Sequence, residues 1–168
     1  NQTLLLNSTG SMKANNLLLV GIGKAKDVTP ETICRASATA AKLAEGSNFK
    51  SVSVDLSCFD ALAKGKAGLY GELSGAVVEG AGLALYHFDD YKSHDEKDDP
   101  PSRIEKLTLV PASKSRQGTV EKSIARAEKI VHAVHSARDL ISHPGNTATP
   151  TYLADHAKNM ARKNKITC

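Results

Sequence analysis

Between Leu17 and Leu56 the pattern of apolar residues changes period twice, and that alternation constrains the fold more than any other feature of the chain. Leu17 to Val20 is a continuous apolar run, the pattern of a buried central strand. The chain then turns at Gly21, Ile22 and Gly23, and Thr29, Pro30 and Glu31 supply a helix N-cap, a first-turn proline and an acid for the helix dipole. A helix is predicted from Pro30 to about Glu45, with Ile33, Ala36, Ala40, Leu43 and Ala44 on its inner face and Gly46 as its stop. Val52, Val54 and Leu56 then alternate with Ser51, Ser53 and Asp55, the period-two signature of a strand.

The same grammar continues on both sides. A short strand is predicted at Thr3 to Leu6, followed by a turn-rich stretch around Ser8 to Asn16. From Glu72, residues Leu73, Ala76, Val77, Gly80, Ala81 and Ala84 recur at helical spacing, predicting a helix that ends near Tyr86 and buries small residues against a neighbour. Asp89 to Asp99 carries six acids against two bases and is followed by Pro100 and Pro101, which predicts a solvated loop. Leu107 to Val110 is the next strand, and a long amphipathic helix follows from about Thr119 to Ile141, with Val120, Ile124, Ala127, Val131, Val134 and Ile141 along one stripe. It stops before Pro144. A last helix begins at Pro150 with Thr149 as cap and Leu153, Ala157 and Met160 as its apolar face. Strands alternating with helices give an α/β layered fold, a mixed or mostly parallel sheet covered by helices, followed by a long linker helix. The proline-bounded segment Ser142 to Pro150 marks the only boundary.

Composition narrows the function classes. With 40% apolar and 24% charged residues in 168, the chain has the composition of a folded domain. No apolar run approaches the roughly 18 to 20 residues of a membrane-spanning helix. Cys34, Cys58 and Cys168 are odd in number and widely spaced, which suits a reducing, cytoplasmic setting. The net charge of +4 is uneven, since Thr119 to Cys168 holds eight bases against four acids, yet no nucleic-acid reading motif accompanies it, so DNA is not the expected partner. The opening NQTLLLNSTG lacks the basic and apolar regions of a secretory signal and begins without Met, as expected of a cut or processed end.

Two constellations invite chemistry. Gly21, Ile22 and Gly23 after a strand are similar to the opening of a dinucleotide-binding turn, but Lys26 stands where the third glycine belongs and the helix begins too late, so a tight strand exit is the favoured reading. His132, His135 and Asp139 lie three and four residues apart and could point at one metal, although a local imidazole and carboxylate pair is the commoner use of such spacing. His87, His94, His143 and His156 show no ligand spacing, and the acidic loop around His94 has no calcium-loop pattern. No serine elbow and no Cys and His pair in a known context is present, so no residue is assigned to catalysis, cofactor or metal.

The segment ARDLISHPGNTATPTYLADHA, Ala137 to Ala157, resembles the start of the catalytic domain of leucyl (cytosol) aminopeptidases, with Arg138, Asp139, Leu140, Pro144, Asn146, Thr149 and Pro150 matching. LLLVGIGK at Leu17 to Lys24 and EGAGLALYHFDDYKS at Glu79 to Ser93 agree in order and spacing. Ser142 and Gly145 depart from the usual residues of that linker. The resemblance implies a macro-like N-terminal domain at residues 1–118, short of a first strand and helix, a linker helix at 119–141 and the beginning of a peptidase domain at 142–168. It further implies an enzyme assembling as a hexamer, whose two divalent metals, zinc or manganese, are held by Lys, Asp and Glu in stretches that do not occur before Cys168. The chain itself is therefore expected to be a non-catalytic domain. The alternatives are a macro-like module binding ADP-ribose or a similar nucleotide at Gly21 to Lys24, and a DNA-binding domain.

Overall fold

The computed structural model describes residues 2–8, 10, 12–92 and 103–167. In chain order it comprises β1 (Thr3–Asn7), β2 (Asn16–Val20), a short 3-10 turn (Ala25–Asp27), α1 (Pro30–Gly46), β3 (Ser51–Asp55), α2 (Ser57–Ala63), α3 (Ala67–Ala84), β4 (Lys106–Val110), α4 (Lys114–Ser142) and α5 (Pro150–Asn164). The acidic stretch read as a solvated loop, with His94, lies largely outside the described residues.

The strands form two pairs. β1 and β2 make an antiparallel hairpin with Thr3 opposite Val20 and Asn7 opposite Asn16. β3 and β4 run parallel, Ser51 opposite Lys106 and Asp55 opposite Val110. Leu17 to Val20 is therefore not a buried central strand: among the described residues β2 pairs with β1 alone, and Leu17 and Leu19 are 37% and 48% exposed. Its apolar run lacks cover because α1 touches β2 only slightly. The layered α/β class stands, with Val54 and Leu109 of the parallel pair packed against the helical core and the hairpin touching α1 through β2.

Helix signals at the chain's capping residues are realised. Thr29 Oγ1 accepts from the backbone N–H of Thr32 at 3.2 Å, while Thr32 Oγ1 accepts from that of Thr29 at 3.4 Å, a reciprocal cap that satisfies two donors at the start of α1. Pro150 occupies the first turn of α5, and Thr149 Oγ1 accepts from Tyr152 N–H at 3.3 Å. Within α1 it is Ala41, not Ala40, that is buried beside Ile33, Ala36 and Ala44.

The core gathers where α1, α2, α3 and α4 meet β3 and β4. Leu56, Tyr70, Leu73 and Val77 are almost wholly buried, with Ile33, Phe59 and Val120 around them. Phe59 meets Tyr70 edge to face at 6.3 Å, and the Tyr70 hydroxyl accepts from Ala112 N–H, tying α3 to the exit of β4. Arg116 lies over the other part of this corner, donating to Asp60 from Nε and Nη2 at 2.8 and 2.7 Å. α3 and α4 run side by side from Gly71, beside Ser123 and Thr119, to Tyr86, beside Asp139.

α4 is 29 residues long, about 43 Å at the helical rise. It starts five residues before Thr119, and α3 five residues before Glu72. Val120 and Ala127 are buried, but Ile141 is 84% exposed and leaves the expected stripe. The reason is length: α3 ends at Ala84, and the last turn of α4 runs on past it.

Candidate functional site

The densest polar constellation lies where α4 outruns α3. The final carbonyls of a helix have no partner within it. Here α4 supplies two: His135 Nε2 donates to Gly82 O at 3.0 Å, and Arg138 Nη1 donates to Leu83 O at 2.8 Å. A carbonyl can only accept, so Nε2 of His135 carries a proton in this contact. Both side chains also complement the negative end of the α3 dipole. Tyr86 packs against them, its ring 5.1 Å from that of His135 and 5.3 Å from the Arg138 guanidinium carbon, and its hydroxyl donates to Asp139 Oδ1 at 2.8 Å. Desolvation pushes the Tyr86 phenol above its ordinary range, against a lowering contact from Ser142 and with the Asp139 carboxylate adding to the rise.

Beyond Tyr86 the chain crosses the turn between α4 and α5. Phe88, Tyr91 and Tyr152 surround His143, with ring centroids 5.2, 5.9 and 5.5 Å away and planes between 78° and 86° to it. The Tyr91 hydroxyl lies 2.9 Å from His143 Nδ1 and donates to Thr147 Oγ1 at 3.2 Å. Thr147 and Ala148 N–H both donate to Pro144 O, and Ser136 Oγ meets His156 Nε2 at 3.1 Å. On the opposite flank, His87 Nε2 donates to both carboxylate oxygens of Glu45 at 3.0 and 3.1 Å, and Arg103 joins Asp89 to Glu45. Lys92, 2.7 Å from Asp89, holds that carboxyl below its usual range, with Arg103 and His87 helping.

These groups satisfy one another. His132 is exposed, and His135 and Asp139 reach across to α3, so the spacing that suggested three ligands on one metal serves helix packing, and the local imidazole and carboxylate pair is not formed either. Among the described residues no three His, Cys, Asp or Glu side chains assemble into a metal-holding group. At the glycine turn, Gly21 N–H donates to Gln2 O at 2.8 Å and Gly23 adopts a φ of +84°. The next helix waits until Pro30, which makes the turn a strand exit. A cleft of about 630 Å³ lies over the α3 glycines, with Glu31 and Cys34 on one bank and Lys122 and Arg126 on the other. Burial pushes the Cys34 thiol up, Glu31 and Glu79 adding to it, and the Cys58 thiol is raised by desolvation and then by Asp55. Sequence reading missed the junction itself, because Tyr86, Phe88 and Tyr91 find partners more than fifty residues away.

Comparison with known proteins places this arrangement. A family model described as the cytosol aminopeptidase family, N-terminal domain, matches residues 1–95. Probable cytosol aminopeptidases of Geotalea uraniireducens (strain Rf4) and Geobacter sp. (strain M21) are each 33% identical, over 100% and 98% of this chain and 32% and 31% of their own length. Among solved structures, a mutant of tomato leucine aminopeptidase superposes with a TM-score of 0.74 at 26% identity, over 96% of this chain and 29% of that one. The bottromycin maturation enzyme BotP superposes at 0.72 with 28% identity, over 99% of this chain and 32% of its own, and a second structure of it is a complex with Mn. The chain thus spans about a third of the length of the curated relatives it matches.

Proposed function

Because this chain belongs to the cytosol aminopeptidase family and corresponds to that family's N-terminal domain, we propose that it is a non-catalytic domain whose role is to pack against and position a metal-dependent peptidase domain. In this reading residues 1–118 form the layered domain, 119–141 the linker and 142–168 the beginning of the peptidase domain. The observation that carries it is the outward face of α5: Leu153 and Met160 are 44% and 53% exposed, beyond a core that closes without them. Exposed apolar side chains gathered on one helix face suit a docking surface.

The hydrolysis of N-terminal residues from peptides, the two divalent metals, zinc or manganese, and assembly as a hexamer belong in this proposal to the whole enzyme. The metals would activate a water and polarise the scissile carbonyl there, and no residue of this chain is given a part in that step. A cytoplasmic location is part of the same proposal; no described helix is long and apolar enough to cross a membrane. The named relatives do not favour a stand-alone ADP-ribose module at Gly21 to Lys24.

The test is release of leucine from a leucyl arylamide with manganese added, by this 168-residue chain beside a protein of the relatives' length that contains it. We expect turnover by the longer protein alone. Turnover by the purified chain, with a rate proportional to its concentration, would overturn the assignment.

A further inference from the structure

We propose that residues 86–92 act as a strap through which the C-terminal end of α1 sets the angle at which α5 leaves α4. The turn between those two helices does not set it. Its internal bonds are the Thr147 and Ala148 amides on Pro144 O, the Thr149 amide on Thr147 O and the His143 amide on Asp139 O, all of which close local turns. α5 packs only slightly on the layer, with Ala161 its one buried residue among those described, and the contact of Ser136 Oγ with His156 Nε2 ties its middle, not its beginning, to α4. What holds its beginning is Tyr152 against His143, and what holds His143 is Phe88 and Tyr91 of the strap.

The strap is tied at its other side to the last turn of α1. Glu45, in the last turn of α1, accepts from His87, and Arg103 bridges Glu45 to Asp89. The Glu45 side chain is only 18% exposed and those of Asp89 and Arg103 29% and 34%, so these charges are shielded from solvent screening more than ordinary surface pairs. From Glu45 the ties reach His87 and Asp89, the strap's own chain carries them to Phe88 and Tyr91, which pack on each other, and contacts then run on to His143, Thr147 and Tyr152. The series couples α5 energetically to the end of α1. It makes a definite demand: a change at Glu45 must be felt at α5.

Amide hydrogen exchange of the whole chain reads this directly. In Glu45→Ala we expect exchange to rise roughly three- to tenfold, the effect of about one lost hydrogen bond, both in residues 86–92 and in 143–153, with the α3 core around Leu73 to Val77 unchanged. Tyr91→Phe, which removes one hydroxyl, should raise exchange in 143–153 by a similar factor, and the double variant should add little to either. Glu31→Gln, at an exposed pair on the same helix, should alter neither segment. A rise confined to 86–92 in Glu45→Ala, or wild-type exchange at 143–153 in Tyr91→Phe, overturns the proposal. Should Glu45→Ala loosen the core as well, His87→Gln, which leaves the Arg103 bridge in place, decides by the same readings. The inference concerns contacts within this chain, and exchange measured on it alone is indifferent to whether the aminopeptidase reading holds.

Discussion

Gly80 lies directly on the backbone of Cys34: a β-carbon at position 80 would stand 2.1 Å from the Cys34 carbonyl oxygen and 2.8 Å from its carbon. The neighbour is main chain of a seventeen-residue helix and has no rotamer with which to retreat. α1 and α3 would have to move apart, opening the core around Ile33 and Val77. Gly80→Ala should therefore destabilise the fold by about 3 kcal/mol or more, at the upper end of overpacking costs. Gly118→Ala, in α4 with nothing within 4 Å of the added carbon, should instead stabilise it by roughly 0.5–1 kcal/mol. Urea titration of both variants checks the contrast, and equal effects would show that helix propensity rather than close approach governs position 80.

The approach of α4 on the other side of α3 is softer. A β-carbon at Gly82 would meet the two methyls of Val131 at 2.8 and 2.9 Å, and these belong to a side chain. Gly82→Ala should cost about 1–3 kcal/mol. Adding Val131→Ala should recover part of that loss, giving a coupling of about 0.5–2 kcal/mol in a double-mutant cycle. Strict additivity of the two changes would contradict the packing described here.

At the end of β3, Asp55 accepts from the hydroxyl and the backbone N–H of Ser57 at 2.7 and 2.9 Å, and these bonds hold its carboxyl below the usual range. A carboxyl whose folded pKa is depressed adds stability above its unfolded pKa and loses it as pH falls through the folded value. Ser57→Ala should thus lose stability at about pH 7, with the gap to wild type shrinking below about pH 4. Thermal unfolding at both pH values, with an NMR titration of the Asp55 carboxyl, checks the sign. A gap that widens on acidification would refute it.

How far the fold could be read from sequence depended on whether the signal was local. Thr29 with Pro30 and Thr149 with Pro150 announce helix starts through groups within four residues, and both helices begin there. The alternation at Ser51 to Asp55 likewise gave β3. α2 went unread although Leu56, Phe59 and Ala63 stand at helical spacing and are buried, because seven residues offer barely two turns of pattern. A run of small residues gives helical phase no anchor, so Ala41 is buried while Ala40, which the pattern places on the inner face, is half-buried. Whether Leu17 to Val20 is covered depends on what lies over it, which an apolar run cannot say. The junction was illegible for the same reason: His132, His135 and Asp139 look like a local set, whereas the partners of His135 and Asp139, Gly82 and Tyr86, are fixed by the register of two helices.

That difference between local pattern and distant partner bears on α5. Leu153 and Met160 read as an apolar face meant for burial, and in this chain they face outward. If the face serves docking, it contributes little to the chain's own stability, so Leu153→Ser with Met160→Ser should change its unfolding free energy by no more than about 1 kcal/mol. Leu73→Ala in α3, at 1% exposure, should cost about 2–5 kcal/mol in the same assay. In a protein of the relatives' length the two serines should lower stability or activity, because there the face would be covered. A serine pair that is silent in both settings would leave α5 an ordinary solvent-facing helix and remove the observation on which its docking role stands.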